Sequence, residues 1–248
     1  MAKQRSVLNR LQLALSKAVL LVGQEREHHA LSYRSITMMD HYAQILPIFA
    51  RDHLDDLPAT EWPVLARCFE RANITAQSAT EERERDFERV KRNSIIVLAA
   101  IVEGVVESVV ATCLRHLKTD QISLKELTGY KGKQVTERDL KYAVRTWEKN
   151  LFDATPSRAH RIAAMIAVFF PRFELPPSSA RLDEVFDIRN RLTHELIVVT
   201  DEISDRPADV GVSLEDVDSF FDAAGELVIS MIKAIPGDLT HPLPVFGR

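Results

Sequence analysis

The sequence predicts an all-α fold, a helical bundle around a long buried central helix with an added N-terminal helical region. Three observations carry that prediction. Glycine occurs only eight times in 248 residues. Long segments contain neither glycine nor proline, the two residues that break helices. Apolar residues recur at the 3.6-residue spacing of a helix rather than alternating as in a strand.

The elements follow in order. Residues 5–22, 25–56 and 60–78 carry helical apolar patterns, separated by Gly23 and by Leu57-Pro58. Asp55 and Asp56 before Pro58, and Thr60 before Glu61-Trp62-Pro63, supply helix-end and helix-start chemistry. From Thr80 the charged run Glu81 to Asp86 opens a helix that continues to about Lys118, with its acids suited to the helix dipole. After Ile95 this helix is apolar on nearly every side, so it is expected at the centre of the bundle. Gly129 to Gly132 reads as a turn. Thr136 is placed to cap a helix running to Asn150. Helices over 157–169 and 179–198 are divided by Pro176-Pro177, and Val199 to Gly211 is a polar loop that can hold a short extended piece. Ser213-Leu214-Glu215-Asp216 resembles a helix start for 213–235. The expected division is an N-terminal helical extension over 1–80 and a bundle over 81–248.

Composition narrows the function classes. With 46% hydrophobic and 27% charged residues the chain is of ordinary globular type. A formal charge of −4 excludes coating of nucleic acid by bulk attraction, so any such site must be a local patch. Cys68 and Cys113 show neither metal-ligand spacing nor a disulfide framework, which fits a reducing cytoplasm, and both read as small core residues. The segment Leu11 to Val22 is broken by Gln12, Ser16 and Lys17, and the apolar run Ile95 to Val102 ends at Glu103 and Glu107. A soluble cytoplasmic protein with no membrane partner is the expectation.

The segment from Phe186 to Glu195 is the most informative. On a helix, Leu182, Val185, Ile188, Leu192 and Leu196 form one apolar stripe, and Arg189 falls inside it, roughly 40° from Val185. A guanidinium cannot shed its proton, so a partly buried Arg189 needs an anionic partner or a polar cleft. Asn190 and His194 lie four apart and share a face with Asp183 and Asp187. Together they offer a fixed cation for a phosphate oxygen and an imidazole able to move a proton near neutral pH.

Arg189-Asn190-Arg191-Leu192-Thr193-His194 resembles the signature of the HEPN superfamily, an arginine and a polar residue followed by a histidine on the same helix. Upstream, Arg92-Asn93-Ser94-Ile95 to Gly104 resembles the first core helix of the ribonuclease-LS-like HEPN group. The likeness spans about residues 81–235. It implies a homodimer in which two motif helices form a composite site. It also implies metal-independent RNA cleavage, by 2′-hydroxyl attack that leaves a 2′,3′-cyclic phosphate and a 5′-hydroxyl. Under that resemblance His194 is the general acid or base, Arg189 stabilises the charged phosphorane, and Asn190 positions the phosphate. A toxin or antiviral-defence effector, with a cognate antitoxin or defence-system protein as partner, is the implied setting.

Glu103 and Glu107 interrupt the most apolar helix, and buried carboxylates there demand a cation. Arg189, or Arg92 on the same helix, is the simplest partner for a structural ion pair that would also hold the arginine in its working orientation. Arg138, Lys141, Arg145 and Lys149 line one helix face that could track an RNA backbone, with Tyr130, Lys131, Lys133, Tyr142 and Trp147 near and Arg191 a further cation on the motif helix. A solvated helix face has the same appearance, with Glu137, Asp139 and Glu148 diluting the charge. His28, His29, His41 and His53 cluster early, and Glu25-x-x-His28 has di-iron spacing. A di-iron bundle needs a second such pair, which the chain lacks, so no metal or cofactor is expected. Two accounts remain: an endoribonuclease, and a catalytically silent helical dimer that binds nucleic acid or a protein.

Overall fold

The structure, a computed structural model, describes residues 2–53, 60, 62–117, 136–155, 157–197 and 210–236. Every regular element among them is a helix: α1 Ala2–His53, α2 Trp62–Glu84, α3 Glu88–His116, α4 Glu137–Asn150, α5 Arg158–Ala167, α6 Ser179–Ile197 and α7 Leu214–Ala234. The predicted all-α bundle is the fold observed. The expected boundary at Leu57-Pro58, the turn at Gly129 to Gly132 and most of the loop after Val199 lie outside the described residues.

α3 is the hub, contacting α1, α4, α5, α6 and α7. Ile95, Leu98, Ala99, Val102 and Val110 are fully enclosed, and Phe220, Phe221 and Leu227 of α7 with Leu182 and Val185 of α6 share that core. Burial at this scale stabilises by roughly 1.5–3 kcal/mol per large apolar side chain. One strip of α3 stays in solvent: Asn93, Val97, Ala100, Gly104 and Ser108. The near-continuous apolar sequence hides this strip, because alanine and glycine read as core residues yet cost little when exposed.

Two boundaries differ from the expectation. The break at Gly23 does not occur, and α1 is a single helix of 52 residues, some 78 Å at 1.5 Å per residue. A mid-helix glycine costs only about 1 kcal/mol relative to alanine. The burial of Leu11, Leu15, Ala18 and Val22 beside α3 outweighs it. The N-terminal stretch therefore shares the core of the rest of the chain. Beyond Gly23, α1 runs antiparallel to α2, where Arg83 donates to the buried carboxylate of Asp40. That bond, with one from Thr80, holds Asp40 below the usual carboxylate range.

The second difference is a break within the helix expected from Thr80 to Lys118. Thr80 lies inside α2, and the chain turns at Arg85–Phe87, with Asp86 at φ 52° and Phe87 at φ 58°. Left-handed backbone is costly for a side chain as large as phenylalanine, and no glycine or proline announces the turn. Tertiary contacts offset the cost. Phe87 is buried against Tyr33, with ring centroids 4.5 Å apart. Glu82 reaches across the break to accept from the free backbone amides of Arg89 at 2.6 Å and Val90 at 3.4 Å. The buried Lys91 ammonium binds Asp86 and the carbonyl of Val212, each at 2.9 Å. Glu88 accepts from the amide of Val210 at 2.6 Å, so this corner also anchors the entry to α7.

The remaining helices begin and end near their expected positions. Thr136 with Asp139, and Ser213 with Asp216, form reciprocal capping boxes on α4 and α7. Cys113 is enclosed, and burial raises its thiol pKa. Cys68 is exposed rather than a core residue, since it sits on α2, which packs chiefly on α1 and turns its other side to solvent. By length and composition alone, two helices could cross a bilayer, within α1 and over α3; half of the α3 window is buried in the bundle.

His29 sits at the seam of α1, α3 and α7, with Nδ1 2.9 Å from Ser94 Oγ and its ring 5.8 Å from Phe221. Burial lowers its pKa below the ordinary 6.5, Asp218 partly opposing and nearby His28 adding to the fall. The unfolded chain then takes up this proton more readily than the folded one. Stability should be full above about pH 6.5 and decline as the pH falls through the folded-state pKa. His116 shifts in the same direction. Urea midpoints of wild type and His29→Gln at pH 7.5 and 5.5 check this: the variant should lose less stability on acidification. Equal losses would exclude a role for His29.

Candidate active site

The site is built where α3, α4, α5 and α6 meet. The α6 carboxylate of Asp183 accepts from Ser157 Oγ at 2.6 Å and from the amide of Ala159 at 2.9 Å. It thereby ties the start of α5 to the motif helix. Arg158 is fixed one residue into α5, with its guanidinium 4.1 Å from the centroid of the buried Phe186 ring.

Glu103 is the centre of the charge arrangement. Arg189 Nη2 donates to both its oxygens, at 2.7 and 2.6 Å, and Arg158 Nη1 donates to Oε1 at 2.7 Å. Arg189 is therefore the partner of Glu103, as the apolar position of the arginine required. Arg92 instead pairs with Glu88, at 3.2 Å. Arg158 also donates through Nε to Glu148 at 2.7 Å. Burial works against its charge, but the bonds and charges of Glu148 and Glu103 prevail and raise its pKa. Glu107 does not reach Arg189. It accepts from Arg145 Nε at 2.5 Å, and that bond raises the arginine pKa.

The result is a cleft of about 210 Å³ lined by Glu103, Glu107, Arg145, Glu148, Arg158 and Arg189 over an apolar floor of Val106, Val144 and Ile162. Asn190 is exposed, and its Oδ1 accepts from Arg189 Nη1 at 3.0 Å. The guanidinium is thus held on one side by a carboxylate and on the other by an amide, an arrangement that fixes the plane in which it meets an anion. His194 stands one helical turn beyond Asn190 on α6, and its side chain lies outside those the structure describes.

Arg138, Lys141, Arg145 and Lys149 all reach the exposed face of α4, and Arg191 is exposed on α6. Arg145 joins this face to the cleft through Glu107. Of the aromatics near it, Tyr142 is exposed, while Trp147 is buried edge-on to Phe169, so it offers no stacking surface. Tyr130, Lys131 and Lys133 lie outside the described residues. Sequence reasoning missed Arg158 and Glu148. Their only local signal is the start of α5 at Ser157, since the two charges are ten residues apart and meet through the α4–α5 turn.

Comparisons with protein-family models, with curated proteins and with solved structures found no match.

Proposed function

We propose that the protein is an endoribonuclease of the HEPN kind, acting as a cytoplasmic toxin or antiviral-defence effector. RNA cleavage would need no metal and would take place at a composite site where two α6 helices meet across a homodimer. The supporting observation is that Glu103 holds Arg189 in the lining of a cleft, on the same helix as Asn190 and His194. In the reaction the 2′-hydroxyl oxygen attacks phosphorus, the bond to the 5′-oxygen breaks, and the cyclic phosphate remains on the upstream fragment. A base must take the 2′-hydroxyl proton and an acid must give one to the leaving 5′-oxygen. Two copies of His194 can divide those tasks, while Arg189 stabilises the charge gathering on the phosphoryl oxygens. The solvent strip Ala100–Gly104–Ser108 of α3, beside Glu103, leaves room for a second copy to approach.

A second reading draws on the same ion pair. The bond of Arg189 to both oxygens of Glu103 is also what a purely structural pair would show, in a silent helical dimer that binds nucleic acid or a protein. Incubation of the purified protein with total and transfer RNA in EDTA decides between them. The expected products carry 2′,3′-cyclic phosphate and 5′-hydroxyl ends, and light scattering should give a dimer at tens of micromolar, a range in which even modest interfaces associate. Intact RNA would leave the silent dimer as the account to hold.

A further inference from the structure

We infer that the turn between α4 and α5 is a base-stacking subsite for single-stranded RNA, with Phe152 as its platform; this rests on the ribonuclease reading above. Phe152 lies in the turn Leu151–Ala154 and is 57% exposed, whereas Trp147, Phe169, Phe170 and Phe186 around the same helices are buried. A lone exposed ring is ordinary. This one has a cation set over it: the Arg161 guanidinium is 5.0 Å from its centroid. Arg161 is itself held in place, donating through Nη1 to the carbonyl of Thr155 at 3.0 Å, with Nη2 3.8 Å from Glu148.

Phe152 also lines an open cleft of about 700 Å³ with Arg145, Lys149, Asn150 and Arg161, large enough for a nucleoside. Glu148 and Asp153 share the lining, but Glu148 is committed to Arg158. Arg145 and Glu148 belong equally to the cleft that holds Arg189. A strand with its scissile phosphate at Arg189 can therefore pass Arg145 and lay a neighbouring base on Phe152, while Lys149 meets the backbone. Stacking on an aromatic ring accepts any base, because every base has a π face. The subsite should supply affinity rather than sequence preference.

The test uses short single-stranded RNA carrying 2-aminopurine at successive positions, bound to full-length His194→Ala protein. At one position fluorescence should be quenched on binding. Phe152→Ala should abolish that quench and weaken binding about tenfold, and Phe152→Trp should restore both. In the cleaving protein Phe152→Ala should raise KM about tenfold with kcat near wild type, since the ring holds a neighbouring base rather than the scissile phosphate. The thermal midpoint should fall only slightly, because the half-exposed ring gives up little beyond its contact with Arg161. Wild-type affinity and quenching in Phe152→Ala, in a protein that still cleaves RNA, would overturn the subsite alone. Phe152-dependent binding without cleavage by the wild type would keep the subsite and remove the nuclease reading. A wild-type protein that neither binds nor cleaves RNA would remove both.

Discussion

His194→Ala should lower the rate of RNA cleavage in EDTA by about 10²- to 10⁴-fold and leave the helical content and unfolding midpoint unchanged. A side chain that moves protons contributes chiefly in the transition state, so kcat should fall while KM holds. On α6 the position lies about 200° round the helix from the buried Leu192 and one turn from the exposed Asn190. Arg189→Ala should be comparably damaging to activity, by about 10²- to 10³-fold, but is a less clean experiment. It leaves Glu103 paired with Arg158 in a partly exposed cleft, so lost activity and lost stability arrive together. The histidine variant separates them. Wild-type cleavage by a folded His194→Ala protein would defeat the enzymatic proposal outright.

How much of this was legible in the sequence depends on the length scale of each interaction. Helices α4 and α7 are set by local chemistry, Thr136 with Asp139 and Ser213 with Asp216, and a reader of the sequence can find both. The break at Arg85–Phe87 cannot be found that way. It is held by Tyr33 of α1, Glu82 of α2 and Val212 just before α7, around a backbone that phenylalanine rarely adopts alone. The continuity of α1 through Gly23 is a similar case, because tertiary burial overrides a weak local penalty. At the site, the misfit of Arg189 with its apolar stripe called for an anionic partner or a polar cleft, and Glu103 is the anion it meets. The position of Arg158 between Glu103 and Glu148 depends on the α4–α5 turn and on Asp183 capping α5, relations that no spacing pattern encodes.

Glu103 carries the other large expected effect, because it serves two guanidiniums at once. Removing one partner of a buried charge pair costs about 3–5 kcal/mol, and the partial exposure of this cluster reduces the expectation for Glu103→Ala to about 1–3 kcal/mol. Arg158 keeps Glu148, so the loss should fall mainly on Arg189. A double-mutant cycle of Glu103→Ala with Arg189→Ala, read by urea unfolding, should therefore show clear coupling, with the double variant less destabilised than the two single losses added together. Stability coupling alone would suit a structural pair equally well, so Glu103→Gln supplies the second readout. It keeps the shape of the side chain, and its single carbonyl oxygen can accept from only part of what the carboxylate accepts. If Glu103 orients Arg189 toward a phosphate, this variant should lose about 10- to 10²-fold in kcat, the usual consequence of a misplaced charged group, with its dimeric state unchanged. A rise in cleavage would show instead that Glu103 competes with the phosphate for Arg189, and would overturn the positioning role.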